Sequence, residues 1–178
     1  MILTGGGCVV RLVVTDPFAG RLPIEGADGV VEAVDPGPMT LVIAKRGSTP
    51  KVAGLAFPEP GTVQSSGNKR LVWMGPGQAL LCGVPAPAAK SLVCVDHSDA
   101  WAIARISGIR SVTILARLVP VDLRVERLPV GATARTLVGH MTGSVSRVAE
   151  NMLEVMVMRS MAGTLVQDLV RAMRTSER

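Results

Sequence analysis

Asp96-His97-Ser98-Asp99 is the one stretch of this 178-residue sequence where a histidine, a serine and carboxylates stand side by side. A Ser/His/Asp set can activate a hydroxyl nucleophile, with the histidine as base and the carboxylate as its orienter. Triad members meet through the fold, though, and consecutive residues of an extended segment point to opposite faces. The quartet therefore reads as a polar strand end or turn. His140 stands alone within Leu137–Met141. A zinc site takes three or four ligands, and no second His or Cys lies at a spacing that would help. Thr4-Gly5-Gly6-Gly7 has glycines but no preceding strand and no Gly-Lys-Ser/Thr after it. It matches neither a P-loop nor a dinucleotide fingerprint and reads as a flexible terminus. Asp122 is a lone carboxylate after a helix stop, a turn or cap residue rather than a general acid. Cys8, Cys82 and Cys94 are odd in number and contain no CxxC pair. That argues against a disulfide framework and a structural zinc and for buried cytosolic thiols. Met152, Met156, Met158, Met161 and Met173 cluster near the C-terminus, where adaptable packing is their role. Residue by residue, no catalytic, cofactor-binding or metal-ligating group is expected on this chain.

The elements that would position such groups can be read from periodicity and punctuation. Short β-like runs at Val9–Val14, Val30–Val34 and Thr40–Arg46 are separated by Asp16-Pro17, Asp35-Pro36-Gly37-Pro38 and Gly47-Ser48-Thr49-Pro50. Pro58–Asn68 reads as an internal loop. Beyond it, Leu71–Met74 and Ala79–Cys82 flank a Gly75-Pro76-Gly77 turn, and Leu92–Val95 and Trp101–Ile106 flank the polar quartet. Ser111 is a candidate N-cap for a short helix to Leu118, stopped by Pro120. Thr133–Met141, Ser144–Val148 and Met152–Met158 follow as strands, the middle one weakest. Ser160 is a candidate N-cap for a helix from Met161 to Met173. Its residues Met161, Leu165, Val166, Leu169, Val170 and Met173 share one side, opposite Thr164, Gln167, Asp168, Arg171 and Arg174. Thr175–Arg178 is a polar tail. The order predicts a single α+β domain over 1–178, mostly antiparallel sheet with a few short helices on one face.

Composition narrows the function classes. The chain is 48% hydrophobic and 19% charged, a globular mixture. Fifteen of its 19 basic residues are Arg, dispersed rather than clustered, and only Phe18, Phe57, Trp73 and Trp101 are aromatic. A nucleic-acid binder needs clustered cations and stacking platforms, so nucleic acid is not an expected partner. No apolar run reaches the roughly 18 residues that span a bilayer, and no secretory pattern opens the chain. The expected compartment is the cytoplasm, with no membrane partner.

Several segments taken together carry a family resemblance. They are Trp73-Met74-Gly75-Pro76-Gly77-Gln78-Ala79-Leu80-Leu81, Val95 to Trp101, Ile106-Ser107-Gly108, Leu115 to Leu118 with Pro120-Val121-Asp122-Leu123, Pro129 to Leu137, and Val157-Met158-Arg159-Ser160-Met161-Ala162. In order and spacing they resemble the gamma subunit of bacterial heterotetrameric sarcosine oxidase, over about residues 70–173. Thr40–Pro50 resembles that family's early strand more weakly, and residues 1–25, read as flexible or partner-contacting, carry none. Ile109 stands where the family usually has Pro, and Met161 where it usually has Phe. The pattern is similar, more distantly, to the folate-binding domain of aminomethyltransferases, which implies an α+β fold with βαβ-like halves.

The resemblance implies a cofactor-free, non-catalytic subunit that packs mainly on an alpha subunit, beside beta and delta subunits. The whole complex would oxidatively demethylate sarcosine to glycine and pass the one-carbon unit to tetrahydrofolate. FAD, FMN, NAD, tetrahydrofolate and zinc would all sit on other chains. Three other readings stay open: the corresponding subunit of a related N-methyl amine dehydrogenase such as N-methylglutamate dehydrogenase, a stand-alone protein of the folate-binding superfamily, and a generic binding domain with no redox link.

Overall fold

The computed structural model describes residues 15–26 and 29–176. The run at Val9–Val14, the glycines at 5–7, Cys8 and the last two residues of the polar tail lie outside them. Among the described residues, eleven strands form two sheets. Sheet A has six strands: β1 (Ile24–Gly26), β2 (Gly29–Val34), β8 (Trp101–Ser107), β9 (Thr133–Val138), β10 (Met141–Ala149) and β11 (Met152–Met158), in the spatial order β1-β2-β8-β11-β10-β9. Sheet B has five: β3 (Met39–Ala44), β4 (Val63–Ser66), β5 (Lys69–Gly75), β6 (Gln78–Cys82) and β7 (Leu92–Asp96), ordered β4-β5-β6-β3-β7. Helices α1 (Ser111–Leu115) and α2 (Ala162–Ser176) complete the set.

Every pairing between named strands is antiparallel. The βαβ-like halves are therefore not present as parallel units among the described residues. The α+β class, mostly antiparallel with two helices, holds.

Alternation along β8 shows how the layers arise. Ala102, Ala104 and Ile106 join Phe18, Val31, Val145, Leu153, Val155, Leu165 and Leu169 in a core between sheet A and the helices. Trp101 and Ile103 point the other way and join Met156, Met39, Val72, Leu80 and Cys82 between the two sheets. A third cluster, with Val42, Leu71, Leu81 and Leu92, lies on the far face of sheet B under Val52 and Leu55. A strand buried on both faces must be apolar at nearly every position, which is why β8 and β11 read so clearly in the sequence.

Several local expectations are corrected. The internal loop placed at Pro58–Asn68 contains strand β4, which pairs with β5 through Val63↔Val72; its polar Gln64-Ser65-Ser66 hid it. The run Thr133–Met141 is two strands divided by a turn at Gly139-His140. The strand read as weakest is the longest, nine residues from Met141 to Ala149, since its serines face a polar layer rather than solvent. Ser111 does not cap α1: the N-cap is Arg110, and the Ser111 Oγ is buried with no hydrogen-bond partner. Ser160 lies inside a 3-10 turn over Arg159–Met161, and α2 starts at Ala162. Met161, assigned to the apolar side, is exposed.

Sheet B ends at β7, whose Val93, Cys94 and Val95 are all exposed. The 41↔95 and 43↔93 pairings with β3, flanked by His97 N–H donating to the Met39 carbonyl and Lys45 N–H to Ser91, direct the Cys94 N–H and C=O away from β3.

Candidate functional site

A cleft of about 440 Å³ opens between the two sheets at the end of their shared layer. Its floor is apolar, with Val72, Ile103 and Met156. Its wall is ionic. Glu154 sits on the inner face of β11, an acidic residue in the otherwise apolar run Met152-Leu153-Glu154-Val155-Met156, and is 4% exposed. One carboxylate oxygen accepts from Arg70 Nη1 across the gap from sheet B. The other accepts from Arg105 Nη2 at 2.7 Å and Nε at 3.2 Å on the neighbouring strand β8. Arg105 Nη1 reaches on to Glu32 of β2 at 3.4 Å. Cross-strand register produces this grouping, since Arg105 is the direct partner of both Glu154 and Glu32. The Glu154 hydrogen bonds, reinforced by its charge, push the Arg105 guanidinium above its usual value.

Two cations and two carboxylates therefore neutralise one another. With both Glu154 oxygens occupied by guanidinium groups, the cluster fits an inter-sheet clamp better than a proton shuttle. Beside it Ser146 Oγ donates to Thr133 Oγ1 at 2.8 Å, and Thr133 Oγ1 in turn donates to the Val145 carbonyl at 3.2 Å. Across the cleft the Cys82 thiol is pushed up to about 11 by burial, so it stays protonated and is no nucleophile at neutral pH. Gly83, the next residue, is at φ +90°. A Cβ there would meet the Asn68 carbonyl oxygen at 2.1 Å, so no other residue fits.

On the opposite face of sheet A, Arg147 is 2% exposed and makes no ion pair among the described residues. Its guanidinium donates to the carbonyls of Leu123, Leu128 (2.6 Å) and Glu150. It ties the irregular segment after α1 onto the sheet, supplying hydrogen bonds that a helix would have made internally.

The residues singled out by type fall elsewhere. The Asp96–Asp99 quartet forms the crossing from β7 in sheet B to β8 in sheet A. Ser98 Oγ donates to Asp96 Oδ1 at 2.7 Å and accepts from Met39 N–H at 3.2 Å. His97 Nδ1 accepts from Trp101 Nε1 at 3.3 Å. Serine and histidine are thus turned to different partners, and no relay joins them. The backbone and then the hydroxyl of Ser98 hold the Asp96 carboxyl below its ordinary value. His140 is exposed on the β9–β10 turn, and no three His, Cys, Asp or Glu residues converge as a metal site among the described residues. Asp122 is clasped by the Arg124 side chain, with Nη2 at 2.6 Å, and by its N–H at 3.0 Å, which lower its carboxyl to about 2. Of the thiols, Cys82 is buried as expected; Cys94 is exposed, which corrects the uniform expectation of burial.

Arg70, Arg105, Arg147 and Glu154 were not singled out by sequence reasoning. Glu154 carried a usable signal, a carboxylate inside an apolar strand with hydrophobic neighbours on both sides. Its partners carried none, because Arg70 is 84 positions away.

No described protein family matches this sequence, and no curated protein matches it. The fold does have solved counterparts. A chain of heterotetrameric sarcosine oxidase from Corynebacterium sp. U-96, solved in complex with pyrrole 2-carboxylate, superposes with a TM-score of 0.81 at 19% identity. The match covers 93% of this chain and 97% of that one. The two chains therefore share the fold over that span and are of similar length. No helix among the described residues is long and apolar enough to cross a membrane.

Proposed function

We propose that this chain is the gamma-type subunit of a sarcosine oxidase-like heterotetramer, without cofactor or chemistry of its own. It packs mainly on the alpha-type subunit in a cytoplasmic complex that oxidatively demethylates a small N-methylated amine such as sarcosine. The observation that carries this reading is the fold match, over 93% of this chain and 97% of the other, to a similarly short chain of such an enzyme. The self-neutralised cleft supports the non-catalytic part, because its carboxylate is held by two guanidinium groups rather than presented to a ligand. FAD, FMN, NAD, tetrahydrofolate and zinc would then be borne by the alpha, beta and delta-type chains.

The test is co-expression with alpha, beta and delta-type chains, followed by size-exclusion chromatography and flavin absorbance. A yellow complex containing this chain, with sarcosine-dependent flavin bleaching, is expected. A chain that elutes alone at micromolar concentration beside an otherwise complete, active complex overturns the assignment. Flavin bleaching by another N-methylated amine but not by sarcosine would move it to a related dehydrogenase.

A further inference from the structure

α2 carries to solvent a row of cations that its own packing does not require. Gln167, Val170, Arg171 and Arg174 fall on one stripe at helical spacing. Arg21 prolongs the row toward the start of the helix. Its guanidinium lies over Gly163, where a Cβ would come within 3.0 Å of Nη2 and 3.1 Å of Nη1. Arg21 Nε donates to the Phe18 carbonyl at 3.2 Å, and Phe18 is fully buried in the helix-side core. This arginine is therefore posed rather than free to swing, and the missing side chain at Gly163 makes room for it. A shallow groove runs beside the row, with Val166 and Val170 among its lining. From Gly163 to Arg174 the stripe is about 16 Å long at 1.5 Å per residue.

The charge on this row is not balanced locally. Its carboxylate, Asp168, is paired with Arg171 at 3.7 Å and keeps only 21% of its side chain exposed. Neither Arg21 nor Arg174 makes an ion pair among the described residues. Arg21 also stands near the positive end of a 15-residue helix whose first turn contains no acidic residue, where the helix dipole disfavours a cation and favours an anion. Such an arrangement costs stability in the free chain and becomes favourable when negative charge is laid along it.

We infer that this stripe is a docking surface for an acidic segment of a partner protein, with carboxylates meeting Arg21 and Arg174 and an apolar side chain seated on Val166 and Val170 between them. A single row of arginines with valines beneath and no aromatic ring in the groove suits a protein segment rather than a nucleic acid, which takes stacking platforms. The inference rests on the subunit reading above and locates one of its contacts.

The experiment uses the co-expressed complex and compares wild type with Arg21→Glu/Arg174→Glu at about 50 mM and about 300 mM salt, a range over which exposed charges become largely screened. Circular dichroism checks that the double variant keeps its fold. Wild-type association is expected to weaken with salt. The reversed pair is expected to bind about tenfold or more weakly at low salt, with a flattened salt dependence, as for a lost interfacial charge contact. Arg21→Lys/Arg174→Lys is expected to retain most of the affinity. Equal affinity and equal salt slope for wild type and Arg21→Glu/Arg174→Glu overturn the stripe as an interface and leave the subunit reading standing. Wild-type chain that never joins the complex overturns both. Loss of association that is the same for the Lys and the Glu pairs overturns the charge argument, because shape rather than sign would then be read.

Discussion

Sheet A has two faces that solve the problem of burial in different ways. Toward the helices it is closed by interlocking apolar side chains, and its buried cation, Arg147, is solvated by backbone carbonyls of the segment it anchors. Toward sheet B the layer begins apolar at Trp101 and Ile103 and ends in the Arg70–Glu154–Arg105–Glu32 cluster beside an open cleft. The contrast separates two jobs. The helix side supplies most of the cohesion, through area removed from water. The inter-sheet side adds little net stability, because burying charges costs about what their attraction returns, but it fixes how one sheet is set against the other.

The strongest way to break this comparison is to charge the cohesive face. Leu165 and Leu169 are fully buried on the inner side of α2. Leu165→Asp/Leu169→Asp should remove the cooperative unfolding transition altogether, since each buried unpaired carboxylate costs more than about 5 kcal/mol and so exhausts the stability of a typical domain. A urea transition that persists with an unchanged slope would show that the helix is not part of the core.

On the ionic face the effect should be smaller and depend on how the clamp is removed. Glu154→Ala strands the Arg70 guanidinium and leaves Arg105 with Glu32 alone, and should cost about 3 kcal/mol, at the low end for a buried pair because Arg105 keeps 31% of its side chain exposed. Replacing Arg70, Arg105 and Glu154 together with Met should come close to neutral in urea denaturation while loosening inter-sheet register, read as faster hydrogen exchange in β5 and β8. If the triple variant is as unstable as Glu154→Ala, the cluster contributes cohesion after all.

Arg147→Met tests the other buried cation. It leaves three carbonyls without their donor, so about 2–3 kcal/mol should be lost, and hydrogen exchange should rise first around residues 119–130. A uniform loss across the chain would count against Arg147 as a local anchor.

The smallest effect is one of pH. Asp122 titrates at about 2 against an ordinary 3.8, chiefly through the Arg124 side chain. A depressed carboxyl stabilises the fold above its unfolded value, and that contribution is lost as pH falls from about 4 to about 2. The pair is solvent-exposed, so salt should weaken the effect. Asp122→Asn should show a smaller drop in urea midpoint between about pH 5 and about pH 2.5 than wild type does; identical drops would mean that the clasp does not persist in solution.

What could be read beforehand follows the physics of each element. β8, β11 and α2 were legible because burial imposes a pattern on every position, with apolar residues at period two or along one helical side. β10 was obscured because its buried residues include Ser144 and Ser146, polar groups that serve an interior polar layer, and β4 because its Gln64-Ser65-Ser66 is polar and largely exposed, so that both imitate a loop in one dimension. The division into two sheets was not legible at all, since alternation fixes which residues share a face but not which strands lie side by side. The conspicuous quartet at Asp96–Asp99 holds a crossing between sheets. The cleft's ionic cluster is assembled by cross-strand register from residues that look unremarkable where they stand.

The outer edge of β7 has a practical consequence. The other three sheet ends are blunted: β1 is three residues with a central Glu25, β4 is short, polar and tied by Val63 N–H to the Gly131 carbonyl, and β9 carries Arg135. β7 has no such gatekeeper between Leu92 and Val95, and Cys94 offers its amide and carbonyl outward. An edge without a charged side chain from Leu92 to Val95 is a template on which another copy can pair its own backbone, the first step toward fibrils. Purified alone and concentrated, the chain should therefore be limited by colloidal loss before unfolding. Val93→Lys should lengthen its shelf life in light-scattering assays without moving its melting point, and equal scattering from both proteins would place the sticky surface elsewhere.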